Sequence, residues 1–573
     1  MIPVWFGDDT QRCFGWWHVP EGGLARAAAI LCPPLGMEQL VAHRTLRTLA
    51  EELGARGIAS LRFDYPGTGD SSGDLATPQL VAAWRASVAR AVDQARATGI
   101  EHVAVIGLRM GANLAWSALT DGLDVSEIVL WDPCPSGLGF LREKRALQLL
   151  EFPETADELP GNGGMDTPGF YYPPEVVNDL RALTVQEASV HGVMCRLAAT
   201  TGSSGVPRIL VLTRPDKAIG SKIRSLVDHP EVDHRATADQ DALFDVPDIY
   251  ARVPQATIRE IAQWLSERAP VSGAECHVRA SGCAIVGEAP TGPVEERATI
   301  VGERGLFAMV TEAPDATGPT VFLTNTAVTY HVGPSRMWVE LARELAVRGH
   351  RVVRFDVEDV GDGSRGAQPD GPYYYTKASV TDSAEVIRSL TQADPRKSVV
   401  VGLCSGSWIA LRIAGERLCG RAILLNPLTL RRRPHPMGPH GRTIPSVRIA
   451  VHKRASRWPF LDRIATLVWR SLASVGLVSS TTSALVSRRM RGSDISVLVG
   501  QDELAAYQMA IPLLGQRRID RSAHVHLDFI DHRDHALLTR RVRERFFGAI
   551  LDRVTSESDE RMGRLAERPH TFS

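Results

Sequence analysis

The stretch LAEELGARGIASLRFD at residues 49–64 returns as LARELAVRGHRVVRFD at residues 341–356, and a chain that repeats itself in this way is built from two copies of one unit. Each copy runs in the same order. A short apolar run (28–31 and 321–323) is followed by a turn-rich loop, an amphipathic helix and a second apolar strand ending in Arg-Phe-Asp. That is a βαβ unit. Each copy then passes Gly69-Asp70 or Gly361-Asp362 and a further helix. It reaches a strand whose end is bracketed by glycines, VAVIGLRMG at 103–111 and VVVGLCSG at 399–406. Alternating strands and helices predict an α/β fold with a mainly parallel, doubly wound sheet in each copy. The first copy closes with the helical run 258–265, and the polar, Pro- and Gly-containing segment 269–273 reads as a linker. The expected domains are therefore 1–272 and 273–573.

Length and composition agree with that division. The chain has 573 residues, enough for two domains that each bury most of their surface. Hydrophobic residues make up 44% and charged residues 23%, an ordinary globular profile, and the formal net charge of -1 gives no global electrostatic address for nucleic acid. No apolar stretch approaches the roughly 18 to 20 residues that cross a bilayer. The first residues, MIPVWFGDD, lack a basic and then apolar leader, so the expectation is a cytoplasmic protein without a membrane span. The eight cysteines are scattered, with no zinc-ligand or redox spacing, and read mostly as reduced thiols. No metal and no cofactor is implied.

The glycine-bracketed turns carry the chemistry. A strand that enters a helix through G-x-Nu-x-G forces its central residue into a strained, exposed turn. The following backbone N–H and the helix N-terminus then face any negative charge that develops there. In the second copy the turn is GLCSG, 402–406, which makes Cys404 the candidate nucleophile and the Ser405 N–H a candidate oxyanion donor. The alternative is a packed, inert thiol. Ser405 as nucleophile is a minor reading, because it is off register between the glycines.

Downstream order favours the nucleophile. The strand ISVLVG (495–500) is followed by Gln501, Asp502 and Glu503, so Asp502 is the candidate acid and Glu503 its rival. After a further strand, 527–530, comes DHRDHAL at 531–537, where His535 is preferred to His532 as the base. Both halves thus resemble α/β-hydrolase domains, over nearly all of the chain, and the second resembles bacterial hydrolases that carry Gly-Leu-Cys-Ser-Gly. The resemblance implies a Cys404–His535–Asp502 triad that forms a covalent acyl-thioester, with a second oxyanion N–H from Thr326 or Ala327 in the loop after the first repeated strand. It also implies an acyl hydrolase, thioesterase or acyltransferase. The alternative is a non-catalytic binding or scaffold protein.

In the first copy the corresponding turn is GLRMG, 107–111, and Arg109 stands where a nucleophile would be. A guanidinium stays protonated and cannot attack. Asp216 follows a late strand, but the closing segment 241–250 holds no histidine. The first domain therefore reads as inactive. Arg109 is either a candidate anion-binding residue, for a phosphate, or the partner of an internal ion pair with Asp216. Each copy also has an insertion expected to form a cap. That of the second copy holds Arg431, Arg432, Arg433, Arg442, Arg448, Lys453, Arg454 and Arg457 with no acidic residue between 431 and 457, which suits an acidic acyl or peptidyl carrier protein as partner.

Overall fold

The computed structural model describes residues 1–8, 11–155, 163–184, 192, 208–363, 374–391, 394–428, 430, 485, 490, 492–501, 522 and 524–555. Asp502, Glu503 and the basic segment 431–457 lie outside the described residues. The chain divides into two compact units, Met1–Ala284 and Ile285–Ser573.

The first unit contains β1 (Ile2–Phe6), β2 (Cys13–His18), β3 (Leu24–Ala25), β4 (Ala27–Cys32), α1 (Met37–Gly54), β5 (Ile58–Phe63), α2 (Leu80–Arg96), β6 (Val103–Leu108), α3 (Met110–Thr120), β7 (Glu127–Trp131), α4 (Gly137–Glu151), β8 (Met165–Thr167), β9 (Phe170–Tyr172), α5 (Pro174–Ala182), β10 (Arg208–Thr213), α6 (Ser221–Val227), β11 (Val232–Ala236), α7 (Asp241–Phe244), α8 (Gln255–Ser266) and β12 (Ala274–Glu275). Its main sheet has the order β1-β2-β5-β4-β6-β7-β10-β11. The β1–β2 and β2–β5 pairs are antiparallel, and every pair from β5 to β11 is parallel. The wholly apolar AAAILC of β4 is buried along its length, as a central parallel strand covered by helices on both faces must be. The short strand β12 pairs with β3, and Trp5 N–H bonds the Ser281 carbonyl. The first unit thus keeps residues beyond 272: the linker-like composition of 269–273 marks a turn within it.

The second unit contains most of β13 (Cys283–Ala289), then β14 (Gly292–Val301), β15 (Leu306–Glu312), β16 (Val321–Leu323), α9 (Met337–Val347), β17 (Val352–Asp356), α10 (Lys377–Leu390), β18 (Val399–Leu403), α11 (Ser405–Gly415), β19 (Arg421–Leu425), β20 (Asp494–Val499), β21 (Val525–Phe529) and α12 (Arg540–Thr555). Its sheet runs β13-β14-β15-β17-β16-β18-β19-β20-β21. Leaving β13 aside, this is the strand order of the first unit. Again two antiparallel pairs precede a parallel run from β17 to β21. Both sheets thus have the mainly parallel organisation of the α/β-hydrolase fold.

Strand periodicity explains the layers. In β18, Val400 packs into one apolar cluster with Ile409 and Ile413 of α11 and Val386 of α10. Val399, Val401 and Leu403 face another, with Leu341 of α9 and Ile550 of α12. Cys404 follows immediately and packs at the edge of that second cluster. No described helix is long and apolar enough to cross a membrane.

Candidate active site

Cys404 sits between β18 and α11 at φ 55°, ψ -109°, a conformation that L-residues seldom adopt. Gly402 and Gly406 make the turn possible. A Cβ on Gly402 would collide with the backbone of Gly406, and one on Gly406 would lie 2.7 Å from the Asn325 carbonyl oxygen. The Cys404 N–H bonds the Leu425 carbonyl at 2.9 Å, and the buried Ser407 hydroxyl lies 2.7 Å from the Gly402 oxygen and 2.8 Å from that of Leu425. The strain is therefore held by packing and hydrogen bonds on both sides of the turn.

Cys404 is half-buried, whereas Cys13, Cys32, Cys134 and Cys419 are fully buried. Burial pushes each of those four thiols up to about 12, which leaves them protonated near neutral pH. Cys404 also stands at the start of an eleven-residue helix, where the first backbone N–H groups, that of Ser405 among them, have no intrahelical acceptor.

The histidine loop is tied to the same sheet edge by a residue that the sequence reading passed over. Asn426 is fully buried at the end of β19, at φ 41°. Its side-chain N–H donates to the His535 carbonyl at 3.0 Å, and its side-chain oxygen accepts the Gly500 N–H at 3.1 Å. One amide thereby joins the loop of His535 to the carboxyl end of β20, after which Asp502 follows in sequence. His535 itself is half-buried. His532 has another use: it is 7% exposed, meets Phe546 edge-on at 5.0 Å, and its Nδ1 accepts the Asp534 N–H at 3.1 Å. Asp534 accepts both the N–H and the hydroxyl of Thr539, at 2.6 and 2.9 Å, closing the loop ahead of α12.

On the other side of Cys404, Ala327 takes φ 49° and its N–H donates to the Ser405 hydroxyl oxygen at 2.7 Å. The expected donor is thus at the turn, and an internal acceptor occupies it. Ser405 is 1% exposed, so its hydroxyl serves the loop and is not presented as a nucleophile. The Thr326 carbonyl accepts the Thr329 N–H at 2.9 Å. Asn325 anchors this loop, donating to Asp356 at 2.8 Å and accepting the Val357 N–H at 3.0 Å. Asp356 also receives the His331 N–H at 2.7 Å, its Nδ1 at 2.6 Å, and the Asp362 N–H at 2.9 Å. His331, Asp356 and Asp362 lie close enough to hold a metal ion, but the Asp356 oxygens already accept four donors, which makes the cluster a structural hub. The Asp64 of the first unit repeats it, accepting from Gln39 at 2.7 Å and from the Asp70 N–H at 3.0 Å.

Tyr375 is the second residue without a sequence signal. Its hydroxyl lies 3.9 Å from Cys404 Sγ, and its ring meets Trp408 of α11 edge-on at 5.8 Å.

In the first unit Arg109 occupies the matching turn at φ 54°, ψ -121°, again between glycines that a Cβ would jam. Its guanidinium bonds Glu38 at 3.3 Å, Asp132 at 3.4 Å and Glu143 at 2.9 Å, and Lys144 bonds Glu38 at 2.6 Å. The internal ion pair expected for Arg109 therefore forms, but with Glu38, Asp132 and Glu143 in place of Asp216. Asp216 pairs instead with Arg214, at 2.6 Å. A phosphate approaching Arg109 would meet three carboxylates that outnumber the two cations, which disfavours an anion site.

Residues 327–548 match the alpha/beta hydrolase family, a span that covers the parallel strands β17 to β21 and the turn at Cys404. That match accords with a hydrolase-type function. None of the curated proteins matches. Among solved structures, Est1E from Butyrivibrio proteoclasticus aligns with a TM-score of 0.33 at 13% identity, over 47% of this chain and 98% of that one. The thioesterase domain from the curacin biosynthetic pathway aligns with a TM-score of 0.29 at 15% identity, over 45% and 99%. The proline iminopeptidase of Mycobacterium smegmatis aligns with a TM-score of 0.30 at 17% identity, over 46% and 98%.

Proposed function

We propose that the second unit is an acyl hydrolase or acyltransferase working through a covalent thioester on Cys404. The observation that carries this reading is the turn itself: a half-buried thiol held at φ 55° on a helix N-terminus, in a backbone that only the flanking glycines permit. Strain of this kind costs about 1 to 3 kcal/mol and is retained where the surrounding fold enforces it.

In the proposed reaction His535 takes the Cys404 proton, and the sulfur forms a bond to the acyl carbon of an ester or thioester. The tetrahedral oxyanion collapses, and the alcohol or thiol leaves with the proton that His535 returns. Water or another nucleophile then attacks the acyl-thioester, gives up a proton to His535, and the Cys404 sulfur departs and is reprotonated. Asp502 is assigned to hold the imidazole tautomer, with the N–H groups of Ser405 and of Ala327 or Thr326 facing the oxyanion. The basic run 431–457 favours a donor carried by an acidic carrier protein. The first unit is assigned a non-catalytic role, because Arg109 replaces the nucleophile.

Intact-protein mass spectrometry after brief exposure to acyl thioesters and esters tests this. An acyl adduct is expected on the wild type and not on Cys404→Ala. Its discharge by water alone identifies a hydrolase, and discharge only with an added amine, alcohol or thiol identifies a transferase. No adduct and no turnover with any donor would overturn the reading in favour of a binding protein.

A further inference from the structure

Tyr375 lies at φ 60°, two residues before α10, in a conformation that a bulky L-residue adopts only under constraint. The constraint is visible. Its ring stands at 83° to Trp408, which is 3% exposed and lies beneath the Arg412 guanidinium at 4.7 Å from the ring centre. Trp408 and Arg412 both belong to α11, the helix that begins immediately after Cys404. The phenol is therefore fixed to the same element as the nucleophile, with its oxygen 3.9 Å from the sulfur, within reach of an O–H to S hydrogen bond. Burial, then the neighbouring Cys404, holds the phenol well above its ordinary value, so it keeps its proton at neutral pH.

We infer that Tyr375 is a catalytic residue that donates a hydrogen bond to the Cys404 sulfur when that sulfur is anionic. The inference rests on Cys404 being the nucleophile. It adds a step that the triad alone does not supply. When the acyl-thioester is resolved, the carbon–sulfur bond breaks and its electron pair stays on sulfur, and the Tyr375 O–H stabilises that leaving thiolate until His535 returns the proton. A hydrogen bond to a charged group of ordinary strength corresponds to a shift of about one pH unit.

The test is the pH dependence of Cys404 alkylation by iodoacetamide, followed by intact mass against a Cys404→Ala background. The midpoint is expected to rise by about one unit in Tyr375→Phe, which keeps the ring against Trp408, and to stay in place in Tyr374→Phe. Coincident wild-type and Tyr375→Phe profiles would overturn the inference. Should Tyr375→Phe fail to fold, as read by thermal melting, a fluorotyrosine at position 375 must lower the midpoint. An unmoved midpoint there would equally overturn it. The acyl-adduct experiment is separate. A shifted profile without any acyl adduct sinks the acyl-transfer reading and leaves the sulfur contact standing, whereas an adduct with coincident profiles removes Tyr375 alone.

Discussion

Arg109 and Cys404 occupy the same place in two sheets of matching strand order, and their backbones are nearly interchangeable, at φ 54°, ψ -121° and φ 55°, ψ -109°. The residues after the next strand match as well: Asp132 at φ 46° and Asn426 at φ 41°. What differs is what the side chains meet. Cys404 meets a phenol, and the neutral amide of Asn426, the counterpart of Asp132, ties the loop of His535 to the end of β20. Around Arg109 they are three carboxylates and a lysine. The strained turn is thus a property of the glycine pair and the strand–helix junction, and it persists in the unit whose side chain cannot attack an acyl group. Glu143 and Lys144 lie on α4, so the charge cluster fastens an inserted helix down onto the turn.

The largest expected effect comes from removing the cation. Arg109→Cys leaves the buried Glu38 and the half-buried Asp132 without their guanidinium, and breaking a buried ion pair in this way costs about 3 to 5 kcal/mol. Chemical denaturation followed by fluorescence should show the first unit losing that stability. The new thiol should take no acyl adduct, because neighbouring carboxylates disfavour the thiolate. An adduct at position 109 would show that position on the turn suffices, and the contrast between the two units would fall.

A smaller effect, shared by both units, is expected from the glycines. Gly111→Ala would drive a Cβ into the Cys32 and Pro33 carbonyls, and Gly406→Ala into Thr324 and Asn325, each for roughly 1 to 3 kcal/mol of overpacking. Only Gly406→Ala should also abolish acylation. If Gly111→Ala proved neutral in thermal melts, the Arg109 turn would be a relaxed remnant and not a strained copy.

The smallest effect is a pH dependence. Burial raises the Glu143 carboxyl, but Arg109 and Lys144 more than reverse this and hold it below its ordinary value. Its contribution is therefore complete above the unfolded value of about 4.3 and is lost as pH falls through the depressed folded value. The stability difference between wild type and Glu143→Gln should shrink on acidification below that value. Because Glu143 is 45% exposed, solvent screens the interaction and the difference will be slight. A difference that grew in acid would reverse the assignment.

How much of this was written in the sequence follows from the range of each signal. The repeat and its alternating strands and helices foretold both sheets, because burial of continuous apolar strands is a local property. The turn at Cys404 was legible for the same reason, since glycines two residues either side dictate the backbone. The partners of Arg109 were not. Asp216 was the carboxylate in the customary place, yet Glu38, 71 residues upstream, reaches the guanidinium, and α4 brings Glu143 from an insertion. Tyr375 and Asn426 were missed because each acts through a contact made only when separate strands and loops converge. The domain boundary moved because a linker-like composition cannot reveal that β12 pairs with β3.

The bond from the Ala327 N–H to the Ser405 hydroxyl has a consequence for selectivity between the stages of a reaction. A neutral carbonyl entering the site offers an acceptor no better than the alcohol already in place, so it gains little by displacing it. An oxygen that has acquired a full negative charge is a much stronger acceptor and wins the exchange. If Ala327 is the oxyanion donor, as proposed, the serine would act as a built-in competitor that suppresses ground-state binding and yields to the transition state, and the amide would contribute to rate and not to substrate affinity.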